Sequence, residues 1–254
     1  MHQLRHDAAG AGRRGRVKTI YRIDGTATEP NGLAIGRAAA ELSRGGLALL
    51  PTETVYGVGV SVAAFAGTAP SEAEMPREGS GYRRIFSLKR RELTQTVAWL
   101  VGGVEDLDRF GVDVDPRARA LAEACWPGAL TIVVEASPEV PRFMRAADGT
   151  VALRASACPA ILALVRACAS PLAVTSANTH GMPAPASFAE VEPRILAGVD
   201  VAVDAGATVC RDASTIVSFT GGDLRILRQG ALSAERVGRS LAEAGHAVDL
   251  CKRG

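Results

Sequence analysis

The sequence predicts an α/β protein with a mixed sheet, and three observations support this class. Short apolar runs that are typical of buried strands alternate with helical segments along most of the 254 residues. Hydrophobic residues make up 47% and charged residues 22%, which is ordinary for a globular protein with a sizeable core. Clusters of Ser, Thr, Lys and Arg follow several of the predicted strands, where open α/β sheets bind their ligands.

The first elements are a helix and two strands. Residues 31–44 predict a helix that Asn31 caps and that Gly45 and Gly46 end. The short apolar runs at 47–51 and 55–62 predict two buried strands.

The rest of the chain continues to mix helices and strands. Further helices are predicted near 81–91, 104–110, 116–125, 158–169, 187–196 and 233–244. Further strands are predicted at 96–101, 129–136, 150–155, 171–178, 199–206, 214–219 and 223–230.

The sequence predicts one domain over residues 20–245. Residues 1–19 are basic and rich in small residues, which predicts a disordered tail, and 246–254 form a C-terminal tail. The aperiodic stretch at 63–80 exceeds the usual loop limit of about 12–15 residues, which indicates a lid or an insertion.

Charge and cysteine content narrow the functional class. A net charge of +2 argues against a bulk nucleic-acid binder and predicts weak or no direct binding of nucleic acid. Five cysteines without CxxC spacing argue against a zinc site or a disulfide framework, so no metal site is predicted. With no apolar run long enough for a bilayer and no secretory signal, we expect a cytoplasmic protein without membrane contact.

Four polar clusters carry the chemistry: PTETVYG at 51–57, Lys89 with Arg91, TSANTHG at 175–181, and ASTIV at 213–217 followed by LRQG at 227–230. Hydroxyls, amides and cations suit phosphate oxygens, so the combination favours a nucleotide or another anion. Each cluster alone also fits an ordinary role, such as a solvated helix face or a plain strand. Neither a Walker A motif nor GxGxxG is present.

The motifs PTETVYG, IFSLKRR, WPGALTIVV, VALRAS, PLAVTSANTHG, DASTIV and ILRQGAL follow one another in this order. This series resembles the YrdC-like family of threonylcarbamoyl-adenylate synthases over roughly residues 32–235. The resemblance implies a twisted open sheet with flanking helices and a concave, positively charged face. It corresponds to the short form of the family, which lacks an extra C-terminal domain.

The resemblance also implies an activity. Such enzymes combine ATP, with its bound Mg²⁺, L-threonine and bicarbonate into threonylcarbamoyl-AMP and release pyrophosphate. The product serves the modification of adenosine 37 in tRNA, which implies hand-over to a tRNA threonylcarbamoyl-transferase complex. A monomer or a homodimer is expected.

Site residues are carried over by motif. Lys89 and Arg91 are implied to be catalytic and to neutralise the phosphates and the carbamate. Threonine and its carbamate would contact Thr52, Tyr56 and Arg154. The nucleotide would contact Lys89, Arg91, Thr175, Ser176, Asn178, Ser214 and Arg228.

Two alternatives stay open, one suggested by departures from the family pattern and one by the basic N-terminus and the concave surface of the family. Glu92 stands where proline usually follows K-x-R, and His180 stands where serine is usual. One alternative is a relative that transfers or hydrolyses another carbamoyl-adenylate, for example in secondary metabolism. The other is a non-catalytic RNA-binding module.

Overall fold

A computed structural model describes residues 19–25, 27, 30–66 and 75–246. The predicted tails therefore lie outside the described residues, except for Thr19 and His246. The centre of the predicted insertion, 67–74, also lies outside them.

Ten strands form one mixed sheet, whose order is β1-β8-β2-β3-β7-β4-β6-β5-β9-β10. The hairpin β2–β3 and the β3–β7 pair are antiparallel, whereas β4–β6 and β5–β9 are parallel. The strands are β1 Thr19–Arg22, β2 Ala48–Leu50, β3 Gly57–Ser61, β4 Ala98–Leu100, β5 Leu130–Glu135, β6 Thr150–Arg154, β7 Leu172–Ser176, β8 Val201–Asp204, β9 Thr215–Ser218 and β10 Arg225–Arg228.

Seven helices flank the sheet within the described residues. They are α1 Gly32–Ser43, α2 Gly81–Lys89, α3 Glu105–Phe110, α4 Pro116–Cys125, α5 Pro159–Cys168, α6 Pro193–Gly198 and α7 Ala234–Glu243. None of these helices is both long enough and apolar enough to cross a membrane.

One face of the sheet is covered along most of its width. Strand residues such as Val58, Trp99, Ile132 and Leu153 join one large buried cluster, to which α2, α3, α4, α6 and α7 all contribute apolar side chains. This cluster is the main core, and burial of its apolar surface is the chief source of stability.

The opposite face is covered over only part of its width. There α1 and α5 pack on Leu50, Leu172, Val201 and Val203, which belong to β2, β7 and β8. Over the neighbouring strands β4, β6, β5 and β9 the same face forms a cavity instead. The partial helix cover therefore positions the candidate site.

Most predicted elements are confirmed, including the Asn31 cap, whose side chain accepts from the Leu33 and Ala34 amides. The prediction of a single helix over residues 187–196 is wrong. A 3₁₀ turn at Phe188–Glu190 is followed by the separate helix α6, which starts at Pro193. Proline lacks an amide hydrogen and keeps the residue before it extended, so a helix cannot run through this point.

Candidate functional site

A cavity of about 260 Å³ lies on the uncovered part of the sheet. Its floor consists of strand side chains that point away from the main core, such as Ala98, Thr131 and Ala152. Its walls come from the 51–57 segment, Arg91, the end of β7, the residues before β9 and Arg228. The cavity thus collects side chains from all four polar clusters.

Arginines are the only charged residues among the described residues that line the cavity. They are Arg91, Arg154 and Arg228. Arg154 is paired with Glu53, but no described carboxylate forms an ion pair with Arg91 or Arg228. The cavity therefore carries a net positive charge that suits an anionic ligand.

The 51–57 segment is a tight connection in the β2–β3 hairpin. The Thr52 hydroxyl donates to the Val55 carbonyl at 2.6 Å and accepts from the Thr54 and Val55 amides at 3.1 Å each. This local network is an ordinary use of threonine in turns and buries Thr52 at the cavity edge. Thr54 also lines the cavity.

Arg154 ends β6 and is 6% exposed. Its Nη2 donates to Glu53 Oε1 at 2.5 Å, Nη1 to Thr54 Oγ1 at 3.0 Å and Nε to the Gly128 carbonyl at 2.9 Å. Burial alone would raise the pKa of Glu53, but the charge of Arg154 and hydrogen bonds from Ser156 and Arg154 outweigh it and hold that pKa below its ordinary value. The Glu53 carboxylate is therefore ionised at neutral pH.

Tyr56 is among the residues that line the cavity, but its side chain is fully buried in the main core and its hydroxyl has internal partners. It donates to the Gly206 carbonyl at 3.0 Å and accepts from the Ala205 amide at 2.9 Å. Burial is the main cause that raises the pKa of Tyr56 to about 12, so the phenol stays protonated. Tyr56 thus ties the PTETVYG segment to the loop after β8.

Lys89 is the last residue of α2, and the structure places its ammonium group against the SAN segment. Nζ lies 2.5 Å from the Ser176 carbonyl, 3.0 Å from the Asn178 carbonyl and 2.8 Å from Asn178 Oδ1. Lys89 and Asn178 are both buried, and neither lines the cavity. Burial, and then the nearby charge of Arg91, lower the pKa of Lys89 to about 8.

Arg91 follows α2 and reaches the cavity from the side of β7. Its Nη1 lies 3.4 Å from Thr175 Oγ1, and Nη2 donates to the Thr96 carbonyl at 2.6 Å. Its Nε donates to the Gln95 side chain. Burial lowers the pKa of Arg91, although a guanidinium remains charged at any pH at which proteins fold.

Ser214 and Arg228 form the opposite wall. Arg228 donates from Nε and Nη2 to the Ser214 carbonyl at 3.0 and 2.8 Å, and Nη2 also lies 3.1 Å from Ser214 Oγ. Ser214 Oγ is 2.8 Å from Thr131 Oγ1 on the cavity floor. These contacts hold the end of β10 against the start of β9.

Eight of the ten predicted site residues line the cavity: Thr52, Tyr56, Arg91, Arg154, Thr175, Ser176, Ser214 and Arg228. Sequence reasoning missed Thr96 and Thr131, and it did not select Thr54 from its motif. Thr131 could have been found as the one polar residue in the apolar run LTIVV. Thr96 gives no such signal, because it precedes a strand in a polar stretch.

The two residues that depart from the expected pattern are both exposed and do not line the cavity. Glu92 lies in the turn after Arg91. His180 donates its backbone amide to the Lys89 carbonyl at 2.9 Å. Neither side chain alters the charge of the cavity lining.

Known proteins resemble this chain in sequence and in fold. A family profile for Sua5, YciO and YrdC proteins, described as telomere recombination, matches residues 74–230, more than half of the chain. That match does not include PTETVYG. A Xanthomonas euvesicatoria protein named threonylcarbamoyl-AMP synthase is 34% identical over 68% of this chain and 86% of its own length.

Longer matches come from two other organisms. A Mycobacterium tuberculosis protein, provisionally named for the same activity, is 33% identical over 84% of this chain and 91% of its own. A Pyrococcus abyssi threonylcarbamoyl-AMP synthase is 29% identical over 85% of this chain but only 61% of its own length.

Solved structures share the fold. The crystal structure of Pyrococcus abyssi Sua5 complexed with L-threonine has a TM-score of 0.77 at 27% identity, covering 91% of this chain and 63% of that one. Escherichia coli YciO has a TM-score of 0.69 at 20% identity over 84% of this chain and 94% of its own, a likeness of fold alone. From the profile match and the Xanthomonas relative, this chain belongs to the Sua5/YrdC family.

Proposed function

We propose that this protein is a threonylcarbamoyl-AMP synthase, a nucleotidyl-transferring enzyme that uses ATP, L-threonine and bicarbonate. One observation carries the proposal: around a floor of small and hydroxyl side chains, the cavity places two cations, Arg91 and Arg228, that form no ion pair with a described carboxylate. An anion with several charged oxygens, such as a triphosphate, is the ligand that best offsets these charges.

The named relatives support the same activity. Proteins with this name from Xanthomonas and Pyrococcus match most of the chain, and the Pyrococcus protein has been crystallised with L-threonine. These relatives favour a synthase over a non-catalytic RNA-binding module. The product would serve the modification of tRNA through a separate transferase.

The lining residues suggest a division of labour. Arg91, Thr175, Ser176, Ser214 and Arg228 would contact the phosphates, while Arg154, Thr52 and Tyr56 would contact the threonine carbamate. Lys89 and Asn178 would act on the same phosphates by holding the Ser176–Asn178 segment, and a direct contact would require Lys89 to exchange one of its present acceptors. Mg²⁺ would arrive bound to ATP.

The reaction needs two anions to approach each other. Bicarbonate and the threonine amine condense to a carbamate with loss of water. A carbamate oxygen then attacks the α-phosphorus of ATP while the bond to pyrophosphate breaks, which leaves threonylcarbamoyl-AMP and free pyrophosphate. Fixed arginines in a partly buried cavity lower the repulsion and stabilise charge on the phosphoryl oxygens. Holding both reactants in line supplies much of the remaining acceleration.

The test is pyrophosphate release with ATP, Mg²⁺, bicarbonate and single amino acids, with the nucleotide product identified by mass spectrometry. We expect release that depends on threonine and a product with the mass of threonylcarbamoyl-AMP. Release that is supported equally by other amino acids, or by carbamoyl phosphate without threonine, would instead favour the carbamoyl-adenylate alternative.

Two arginines of strand β10 provide a matched pair of variants. Both side chains are exposed, but Arg228 lines the cavity, whereas Arg225 does not line it and contacts Thr220. We expect Arg228→Gln to raise the KM for ATP by roughly 10-fold or more, because a charge-assisted hydrogen bond is worth about 1.5–3 kcal/mol. Arg225→Gln should keep the wild-type KM, and equal effects in both variants would remove the assignment.

A further inference from the structure

Glu53 is a buried acid beside the cavity whose carboxylate does not line it. Only 10% of its side chain is exposed, and both carboxylate oxygens are occupied. Oε1 accepts from Arg154 at 2.5 Å, and Oε2 accepts from Ser156 Oγ at 2.5 Å. The Glu53 carbonyl also accepts from the Cys210 amide at 2.8 Å, so three separate segments meet at this residue.

The contacts of Arg154 show which N–H donors of its guanidinium remain available to a ligand. A guanidinium has five N–H donors, and three of those in Arg154 are taken by Gly128, Thr54 and Glu53. One hydrogen on each terminal nitrogen has no acceptor among the described residues. Since Arg154 lines the cavity, these two hydrogens are the ones available to a bound ligand.

We infer that Glu53 is a positioning residue: it fixes the Arg154 guanidinium so that its two free N–H groups meet the carboxylate or carbamate of the amino-acid substrate. This inference rests on the proposed function. Glu53 would act only through Arg154 and would not touch the substrate.

The charge of the pair agrees with such a role. Glu53 cancels the charge of Arg154, whereas Arg91 and Arg228 have no paired acid among the described residues. Arg154 therefore offers directed hydrogen bonds with little net charge, which selects for the shape of a planar carboxylate. Loss of Glu53 should then change amino-acid binding and leave nucleotide binding nearly intact.

A purely structural ion pair is the competing explanation, since breaking a buried pair commonly costs about 3–5 kcal/mol of stability. Asp200 offers a matched control for that cost. Its Oδ2 accepts from Arg84 Nη1 at 2.8 Å and from the Leu47 amide at 2.8 Å, and the side chain is 17% exposed. It does not line the cavity.

The experiment measures KM for threonine, KM for ATP and melting temperature in Glu53→Gln, Glu53→Asp, Asp200→Asn and Arg154→Gln, and in the double variant of Glu53→Gln with Arg154→Gln. We expect Glu53→Gln to raise the KM for threonine roughly 10- to 100-fold, as misplaced binding groups do, with the KM for ATP within about twofold. Glu53→Asp, which keeps the charge, should recover part of the loss. Asp200→Asn should lower the melting temperature and leave both KM values unchanged.

The double variant decides whether Glu53 acts through Arg154. Once Arg154 is glutamine, the further change at position 53 should leave the KM for threonine unaltered. A loss of the same size in both backgrounds, or an unchanged KM for threonine in Glu53→Gln, would overturn the inference. If Glu53→Gln does not fold, a wild-type KM for threonine in folded Glu53→Asp overturns it equally. If pyrophosphate release by the wild-type protein does not depend on threonine, the proposed function itself is wrong, and the role of Glu53 falls with it.

Discussion

Lys89 combines two properties at the scale of the single residue: it is only 3% exposed, and its ammonium group is surrounded by acceptors of the SAN segment. The sequence predicts that Lys89 matters, since it is the only lysine between residues 19 and 251. It does not predict these acceptors, because they come from a segment 87 to 89 positions away in the chain.

The depressed pKa of Lys89 predicts a dependence of stability on pH. In the unfolded chain its pKa returns to about 10.5, against about 8 in the folded protein. Between these values the unfolded state holds a proton that the folded state has released, so raising the pH favours folding. We expect the free energy of unfolding to rise by up to about 1.4 kcal/mol per pH unit from this group.

Chemical denaturation of wild type and of Lys89→Met at pH 8, 9 and 10 measures this contribution. The difference in unfolding free energy between the two proteins should change with pH, because other titrating groups are common to both. A constant difference would show that Lys89 titrates normally.

Strand β3 depends on its glycines, and this is a property of the element. A Cβ on Gly59 would lie 2.6 Å from Val174 Cγ2 and 2.7 Å from the Ala173 carbonyl on the paired strand β7. Gly36, on the exposed side of α1, has nothing within 4 Å of such an atom. The two positions therefore form a pair in which the same substitution has opposite effects.

We expect Gly59→Ala to destabilise the protein by about 1–3 kcal/mol through overpacking. Gly36→Ala should stabilise it by about 0.5–1 kcal/mol, because alanine is the better helix former. Thermal or urea unfolding of both variants checks this, and a neutral Gly59→Ala would mean that β3 and β7 can move apart at little cost.

Elements with a strong local pattern were predictable, and elements defined by a distant partner were not. The apolar runs of β5 and β6 and the cap of α1 were identified correctly. The strand β1 was not, since Thr19–Arg22 is mostly exposed and owes its conformation to parallel pairing with β8, some 180 residues later. The same holds for the site: sequence motifs identified the cavity arginines, but they did not identify Thr131, which lies on the cavity floor.

At the scale of the whole molecule, the large core cluster joins residues from Leu47 to Leu241 and includes the two tryptophans of the chain. Trp99 lies in β4, and Trp126 follows α4. Because one core contains both, we expect residues 20–245 to unfold as one domain.

Tryptophan fluorescence and far-ultraviolet circular dichroism should therefore give coincident unfolding curves. Addition of ATP with Mg²⁺ should shift both curves to higher temperature by the same amount, because a ligand that binds the folded state stabilises it as a unit. Two separated transitions would divide the chain into more than one domain.

Side chains along the central strands alternate between the core and the cavity, so substitutions can alter one without altering the other. In β4, Trp99 packs in the core while Ala98 faces the cavity. In β6, Leu153 packs in the core while Ala152 faces the cavity. Larger residues at positions 98 and 152 would reshape the cavity and leave the packed layer intact. Evolution, or a designer of altered substrate range, can thus vary ligand choice and foldability through separate residues of the same strands.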